Sequence, residues 1–290
     1  MGFQSLHKTI LLLRHPVLWI AGIFAGLISS CGIYLAFSGT DGAFYAERLF
    51  VFSLVLVPFF LAAVYGAVKK NDYSLKNYIK EGFSGYFRVL LPTVIILAVA
   101  LIFLFLIAMP AAMTGMSGML LFGGASVIIL IPMILLVFFY DTAAVFEDKK
   151  VFECIKRSFE VSFARSVPIL GFYVVALLIL FVIFTGFSIV WSGILTEQFE
   201  PLLNMSDEEL NSFATNPDAV VAMLGEYGVF ITAVMTFFGA FIFTVFFIPY
   251  KAVFYRDFLM GTVVVQPGVS GPAAEPEGEY DEKGRWYKYS

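Results

Sequence analysis

VLLPTVIILAVALIFLFLIAMPAAMTGMSGMLLFGGASVIILIPMILLVFFY, residues 89–140, runs for 52 positions without a charged side chain. About 20 apolar residues carry a helix across the hydrocarbon of a bilayer, so this stretch is too long for one span and long enough for two. PAAMTGMSG at 110–118 places Pro and Gly in its middle, where a tight turn is needed. A hairpin of two membrane helices is predicted. Four further charge-free runs, Pro16–Thr40, Leu49–Val68, Ser166–Thr196 and Tyr227–Tyr250, each supply one more span. No segment alternates apolar with polar residues over about ten positions, which excludes the strands of a closed membrane barrel.

The expected fold is therefore all-α, a polytopic transmembrane six-helix bundle. Its spans lie near 17–37, 49–68, 90–110, 119–140, 168–194 and 227–250, inside a membrane domain covering 1–262. Residues 263–290 are expected to be a mostly disordered cytoplasmic tail, because QPGVSGPAAEPEGE is too poor in large apolar residues to bury a core. The closing YDEKGRWYKYS offers an alternative, a small hairpin with Lys283-Gly284 at the turn.

Composition agrees with a membrane protein. Sixty per cent of the residues are hydrophobic and 14% charged, against about 45–50% and about 25% in soluble domains, and the mean hydropathy is +0.89. A net charge of −4 gives no basic excess to neutralise phosphates, so nucleic acid is not an expected partner. Cys31 and Cys154 fall in different regions of this topology and cannot form a Cys-rich metal site. No cofactor and no metal is expected.

Orientation follows from the basic residues, which short loops retain on the cytoplasmic side. Of 18 Lys and Arg, all but Arg48 fall in the N-terminal segment, the second-to-third and fourth-to-fifth connections, and the C-terminal region. The fifth-to-sixth loop, residues 196–228, carries seven carboxylates and no basic residue. The protein is expected in the cell membrane, multi-pass, with both termini cytoplasmic. A competing reading of the first span is a signal segment ending in the lipoprotein-like box Ile28-Ser29-Ser30-Cys31. The apolar run continues past Cys31 to spanning length, which favours a membrane helix.

Two phrases of the chain resemble each other at an offset of 76 residues. Ile79, Lys80, Phe83, Phe87 and Pro92 align with Ile155, Lys156, Phe159, Phe163 and Pro168. The apolar members recur at intervals of four, and Phe152 precedes the second set by three, so each set shares one helical face, as expected for amphipathic helices in the headgroup plane with basic residues toward anionic lipid. Pro92 and Pro168 are expected to mark the bend into the next span. The alternative is that both segments are cytoplasmic extensions of the spans, packed on one another.

The ends of the even-numbered spans also rhyme: VYGAV at 64–68, FYDTAAVFED at 139–148 and PYKAVFYRD at 249–257. Three tandem hairpin repeats, each preceded by a cytoplasmic interfacial helix, account for both likenesses. On this repeat Asp141 and Lys251 each follow an exit tyrosine, and an ion pair between them is expected. Two alternatives stay open: Asp141 pairs with a basic residue of an interfacial helix such as Lys80, or both groups reach water, with Lys251 snorkelling.

Catalytic motifs are weak. Gly82-Phe83-Ser84-Gly85 and Gly115-Met116-Ser117-Gly118 invite comparison with rhomboid proteases, but a serine nucleophile needs a base within reach. The only histidines, His7 and His15, precede the first span. Tyr140-Asp141 supplies one half of an intramembrane aspartyl protease signature, and no second span carries the matching Asp. No enzymatic activity is expected.

The DTAAVFED exit, the following IKRSF phrase and the proline-started span together resemble a broad group of prokaryotic six-span membrane proteins of unknown function. That group includes the membrane domain found fused to glycerophosphodiester phosphodiesterases. No phosphodiesterase domain is expected in these 290 residues, so the resemblance implies an integral membrane protein and not that activity. The expected role is a scaffold or membrane-organising, partner-binding component, with the lipid bilayer, its anionic headgroups and other membrane proteins as partners. The alternative is a transporter or channel for a small molecule or lipid.

Overall fold

A computed structural model describes residues 2–113, 116–214, 216–261, 278–280 and 286–288. The chain forms two units, Met1–Met260 and Gly261–Ser290. Among the described residues, every element of the first is a helix. It comprises α1 (Gly2–Leu12), α2 (Trp19–Ala36), α3 (Thr40–Lys70), α4 (Leu75–Met113), α5 (Met116–Val137), α6 (Tyr140–Phe146), α7 (Val151–Ala164), α8 (Ser166–Ile194), α9 (Thr196–Phe199), α10 (Asp207–Ala214) and α11 (Pro217–Phe254). Six segments are long and apolar enough to cross a membrane: Pro16–Ala36, Asp41–Lys70, Leu75–Pro110, Ile129–Phe146, Ser166–Ile194 and Ala219–Leu259. They correspond one to one with the six expected spans.

Local chemistry explains where the helices start and stop. Asp41 lies in the first turn of α3 and Lys69 and Lys70 in its last, the arrangement that complements the helix dipole. Asn71 ends the helix in the left-handed conformation at φ 51°, which Asn tolerates better than most residues. Asp148, at φ 52°, occupies the same conformation after α6. Helix α7 begins where the Lys150 N–H donates to the Glu153 carboxylate at 3.2 Å.

The fourth span is broken rather than continuous, α5 ending at Val137 and α6 starting at Tyr140. Backbone groups freed inside a bilayer need partners, and side chains from the next elements supply them. The Ser158 hydroxyl donates to the Leu136 carbonyl at 2.8 Å and accepts the Phe139 N–H at 3.0 Å. The Tyr173 hydroxyl donates to the Leu135 carbonyl at 2.8 Å. The break therefore lies where α7 and α8 cross it.

Packing is uneven along the bundle. The rhyming exits of α3, α6 and α11 form its centre: Ala62 to Tyr65, Ala67 and Val68 are buried, as are Phe139, Ala143 to Phe146 and Tyr250 to Tyr255. At the other end, successive residues of α4 such as Leu101, Ile102, Phe103, Phe105 and Leu106 are all exposed, and so are Leu177, Leu178, Phe181, Val182 and Phe184 of α8. Apolar side chains exposed around the whole circumference of a helix suit a lipid environment.

Helix α2 lies close against α11 through Gly22 and Gly26. A Cβ on Gly22 would stand 2.2 Å from Val245 Cγ2, and one on Gly26 would stand 2.9 Å from the Phe237 carbonyl. This Gly-x-x-x-Gly spacing permits the backbone approach that drives helix association in lipid.

Several boundaries differ from the sequence reading. Helix α4 runs unbroken from Leu75 through Pro92 to Met113, so Pro92 does not separate an interfacial helix from a span. The second phrase does divide, at Arg165 (φ −126°, ψ 39°), and Pro168 falls in the first turn of α8, where its missing N–H costs no hydrogen bond. The sixth helix begins at Pro217, ten residues ahead of the expected 227, with a kink at Gly225, whose φ of 60° favours glycine. The acidic loop before it contains α9, α10 and a 3₁₀ turn at Glu200–Asn204.

In the second unit, β1 (Gly278–Tyr280) pairs antiparallel with β2 (Trp286–Lys288), Glu279 opposite Tyr287. Apart from these two strands, the tail expected to be mostly disordered at 263–290, with its Lys283-Gly284 turn, lies outside the described residues, as do residues 114 and 115 of the expected 110–118 turn.

Candidate functional site

Where the ends of α3, α6 and α11 pack together, charged residues form three carboxylate-centred clusters. The deepest is built on Asp141. Helix α6 is only seven residues long, and its position behind the α5 break points Asp141 between α3 and α11. The Lys251 ammonium donates to the carboxylate at 2.7 Å. The Tyr65 hydroxyl of α3 donates to it at 3.0 Å, and the Thr142 N–H at 2.7 Å. Asp141 is 3% exposed and Lys251 6%.

Such burial is tolerable only because both partners are satisfied on several sides. The carboxylate has three donors. The ammonium also lies 4.0 Å from the centroid of the Phe138 ring, a favourable site for a desolvated cation. Around the pair, Phe172 stacks on Tyr250 at 4.8 Å and packs against Phe254. Lys80 is exposed on α4 and does not reach Asp141, and both members of the pair are buried.

The second cluster surrounds Glu147, at the C-terminal cap of α6. Its carboxylate accepts Arg157 Nε at 2.9–3.0 Å and the Tyr255 hydroxyl at 2.7 Å, joining α7 to the turn after α11. Burial works against the Arg157 charge, but the Glu147 carboxylate outweighs it and raises the guanidinium above its ordinary value. The third is centred on Asp148, which accepts from Lys69 at 2.7 Å and from Arg88. Partial burial pushes this carboxyl up, and the two cations more than offset it, so it stays below the usual carboxylate range. Lys69 also donates to the Val145 carbonyl at 2.8 Å. Beyond these, Lys8 of α1 pairs with Asp257 at 2.6 Å.

Sequence reasoning singled out Asp141 and Lys251 but not Tyr65, Glu147, Arg157, Tyr255, Lys69 or Asp148. Tyr65, Glu147, Asp148 and Tyr255 all stand inside the three rhyming exits, and that rhyme was the available signal. Which exit faces which is a matter of tertiary packing and has no sequence spacing.

The remaining candidates distribute as follows. Ile79, Phe83 and Phe87 form an exposed stripe on α4, with Lys80 beside it. On α7, Phe163 is exposed, Ile155 and Phe159 are half-buried, and Lys156 pairs with Glu160 at 3.7 Å. The Gly82 to Gly85 phrase serves packing: a Cβ on Gly82 would meet the Phe59 ring at 2.6 Å, and one on Gly85 the Ala62 Cβ at 2.8 Å. Gly115 of the second such phrase lies outside the described residues. Cys154 is buried, and burial pushes its thiol up to about 12, the opposite of an activated nucleophile. Among the described residues no three His, Cys, Asp or Glu side chains are grouped to hold a metal ion.

Away from the charged end, a groove of about 470 Å³ runs between α8 and α11, walled by Phe184, Phe187, Trp191, Met235 and Phe243. Ser188, Thr232 and Thr236 add polar points, and Trp191 Nε1 donates to the Thr232 hydroxyl at 2.9 Å.

Residues 3–258 match a domain of unknown function, DUF7847. The chain belongs to that family. The match covers every candidate membrane span of the DUF7847 chain apart from the last residue of the sixth. Comparison with curated proteins and with solved structures gave no match.

Proposed function

We infer that this DUF7847 protein is a non-enzymatic membrane scaffold, with its basic end and both termini in the cytoplasm. The observation that carries the reading is the mutual satisfaction of the buried charges. Ionisable groups in membrane segments commonly mark proton or substrate pathways. Here Asp141 is saturated by Lys251, Tyr65 and the Thr142 N–H, and Glu147 by Arg157 and Tyr255. Groups so engaged lock α3, α6, α7 and α11 together and are poorly placed to exchange protons or grip a passing solute.

The three-repeat reading draws support from the helix ends. Asn71 and Asp148 both adopt positive φ, and each stands three residues after an Ala-Val pair, Ala67-Val68 and Ala144-Val145. A new helix starts shortly after each, at Leu75 and Val151. The exposed faces of α4 and α7 carry Phe83, Phe87, Phe152 and Phe163, aromatics suited to the headgroup boundary beside Lys80 and Lys156. Bilayer lipid and other membrane proteins are the partners this surface suits.

The α8/α11 groove favours the second reading, a carrier for a lipid or apolar molecule, because its Ser and Thr hydroxyls lie within two of the candidate spans. Flux distinguishes the two. In liposomes containing the folded protein, fluorescent-lipid flipping and release of trapped carboxyfluorescein are expected to match protein-free vesicles. Acceleration of either would replace the scaffold by the transporter.

A further inference from the structure

Between the end of α3, the first turns of α4 and the end of α6 lies a cleft of about 240 Å³. It is lined by Lys69, Lys70, Lys80, Ser84, Arg88 and Asp148, with Glu81 at its edge. Four cations face two carboxylates, which leaves two positive charges in excess. Three of the cations are fixed in place: Lys69 by Asp148 and the Val145 carbonyl at 2.7 and 2.8 Å, Lys70 by Glu81 at 2.5 Å, and Arg88 by Asp148. Lys80 and Ser84 have no hydrogen-bond or ion-pair partner among the described residues. A rigid cationic frame with two unengaged donors suits a phosphate oxyanion, for which charge-assisted hydrogen bonds are the strong ones.

The rest of α4 indicates where the phosphate comes from. Lys80, Ser84 and Arg88 are spaced four apart and form one stripe of the helix. Ile79, Phe83 and Phe87 form the adjacent stripe, one residue back, and Leu91 and Val94 carry it into the third span. All five apolar residues are exposed. A headgroup held on the polar stripe leaves its acyl chains beside the apolar one, whereas a soluble phosphate makes no use of it.

We propose that this cleft binds the phosphate of an anionic glycerophospholipid, whose chains lie along Phe83, Phe87, Leu91 and Val94. The proposal deepens the membrane-organising reading by naming its lipid site. It stands on the cleft and not on the absence of flux, so the two can fail separately.

The test is thermal unfolding of the full chain in a neutral detergent, since a ligand bound only by the folded state raises Tm. Dioctanoyl phosphatidylglycerol is expected to raise it, and dioctanoyl phosphatidylcholine and inorganic phosphate at the same concentration are not. Lys80→Gln is expected to weaken the apparent affinity for phosphatidylglycerol about tenfold, the equivalent of one lost charge-assisted contact, and Lys80→Glu to abolish the shift. Because Lys80 has no bonding partner among the described residues, the ligand-free Tm of the Gln variant should equal that of the wild type, which keeps the test valid if the Glu variant misfolds. Equal shifts from both lipids, or an undiminished shift in Lys80→Gln, would overturn the site. An equal shift from inorganic phosphate would overturn its assignment to lipid.

Discussion

Asp141 accepts three hydrogen bonds at once, and its strongest partner comes from 110 residues further along the chain. Removing one partner of a buried ion pair strands the other, at a cost of about 3–5 kcal/mol. Asp141→Ala should destabilise the detergent-solubilised protein by roughly that amount. Asp141→Ala with Lys251→Ala should regain part of the loss, because no unpaired charge remains, and a double-mutant cycle on thermal or denaturant unfolding reads the coupling. Strictly additive losses would mean that the pair is not coupled. The exit tyrosines made these two residues candidates for a pair, with Lys80 as a partner for Asp141 or exposure of both to water as the alternatives. Their burial was not legible, since the aromatic shelter of Phe138, Phe172 and Phe254 comes from helices whose neighbours the sequence does not name.

At the surface of the same end, Asp148 gives a pH prediction. Its folded carboxyl is depressed by Lys69 and Arg88, so its contribution is fully present above the unfolded value of about 3.9 and is lost as pH falls through the lower folded value. The group is half exposed, which limits the effect to under about 1 kcal/mol. Asp148→Asn should be slightly less stable than the wild type near neutrality, and the gap should close as the medium is acidified below about pH 4. A gap that persisted in acid would point to packing and not charge.

At the scale of the element, the contact between α2 and α11 depends on having nothing where a side chain would be. The Cβ built on Gly26 meets the Phe237 carbonyl at 2.9 Å, backbone that cannot swing aside. Gly26→Ala should therefore push the helices apart and cost about 1–3 kcal/mol of stability, the range for overpacking, while Gly32→Ala, where a Cβ meets nothing within 4 Å, should leave Tm unchanged. Equal behaviour of the two variants would argue against the close contact. The Gly22-x-x-x-Gly26 spacing is a packing-face signal that the sequence reading passed over, and it does not say which helix it faces.

The prolines teach a related lesson. Pro92 and Pro168 are equivalent in the repeated phrase, yet one lies inside α4 and the other in the first turn of α8. A proline removes one N–H and disfavours the helical conformation in the residue before it, which a long membrane helix can absorb as a kink. What decides between a kink and a break is the element's surroundings. Arg165 ends α7 where Ser158 and Ser162 are already bonded to the Leu136 carbonyl of the broken fourth span. Near Pro92, itself buried, the Thr93 hydroxyl donates to the Val89 carbonyl of its own helix at 2.7 Å and lies 2.6 Å from the Tyr140 hydroxyl, contacts compatible with a continuous α4.

For the molecule as a whole, the number of spans was legible because bilayer thickness sets a length that apolar runs can be counted against. The interior of the bundle was less so. The ion-pair clusters lie at one end, aromatic and alanine-rich exits pack there, and the apolar side chains of the opposite halves of α4 and α8 are exposed. If the clustered end is a cytoplasmic platform, the acidic 196–228 loop lies outside the cell. Membrane-impermeant maleimide labelling tests this directly, using single cysteines at Asn204 and Ser270 in a background where Cys31 and Cys154 are replaced. The cysteine at 204 should label on intact cells and the one at 270 only after permeabilisation, whereas labelling of both from outside, or of 270 alone, would contradict the account.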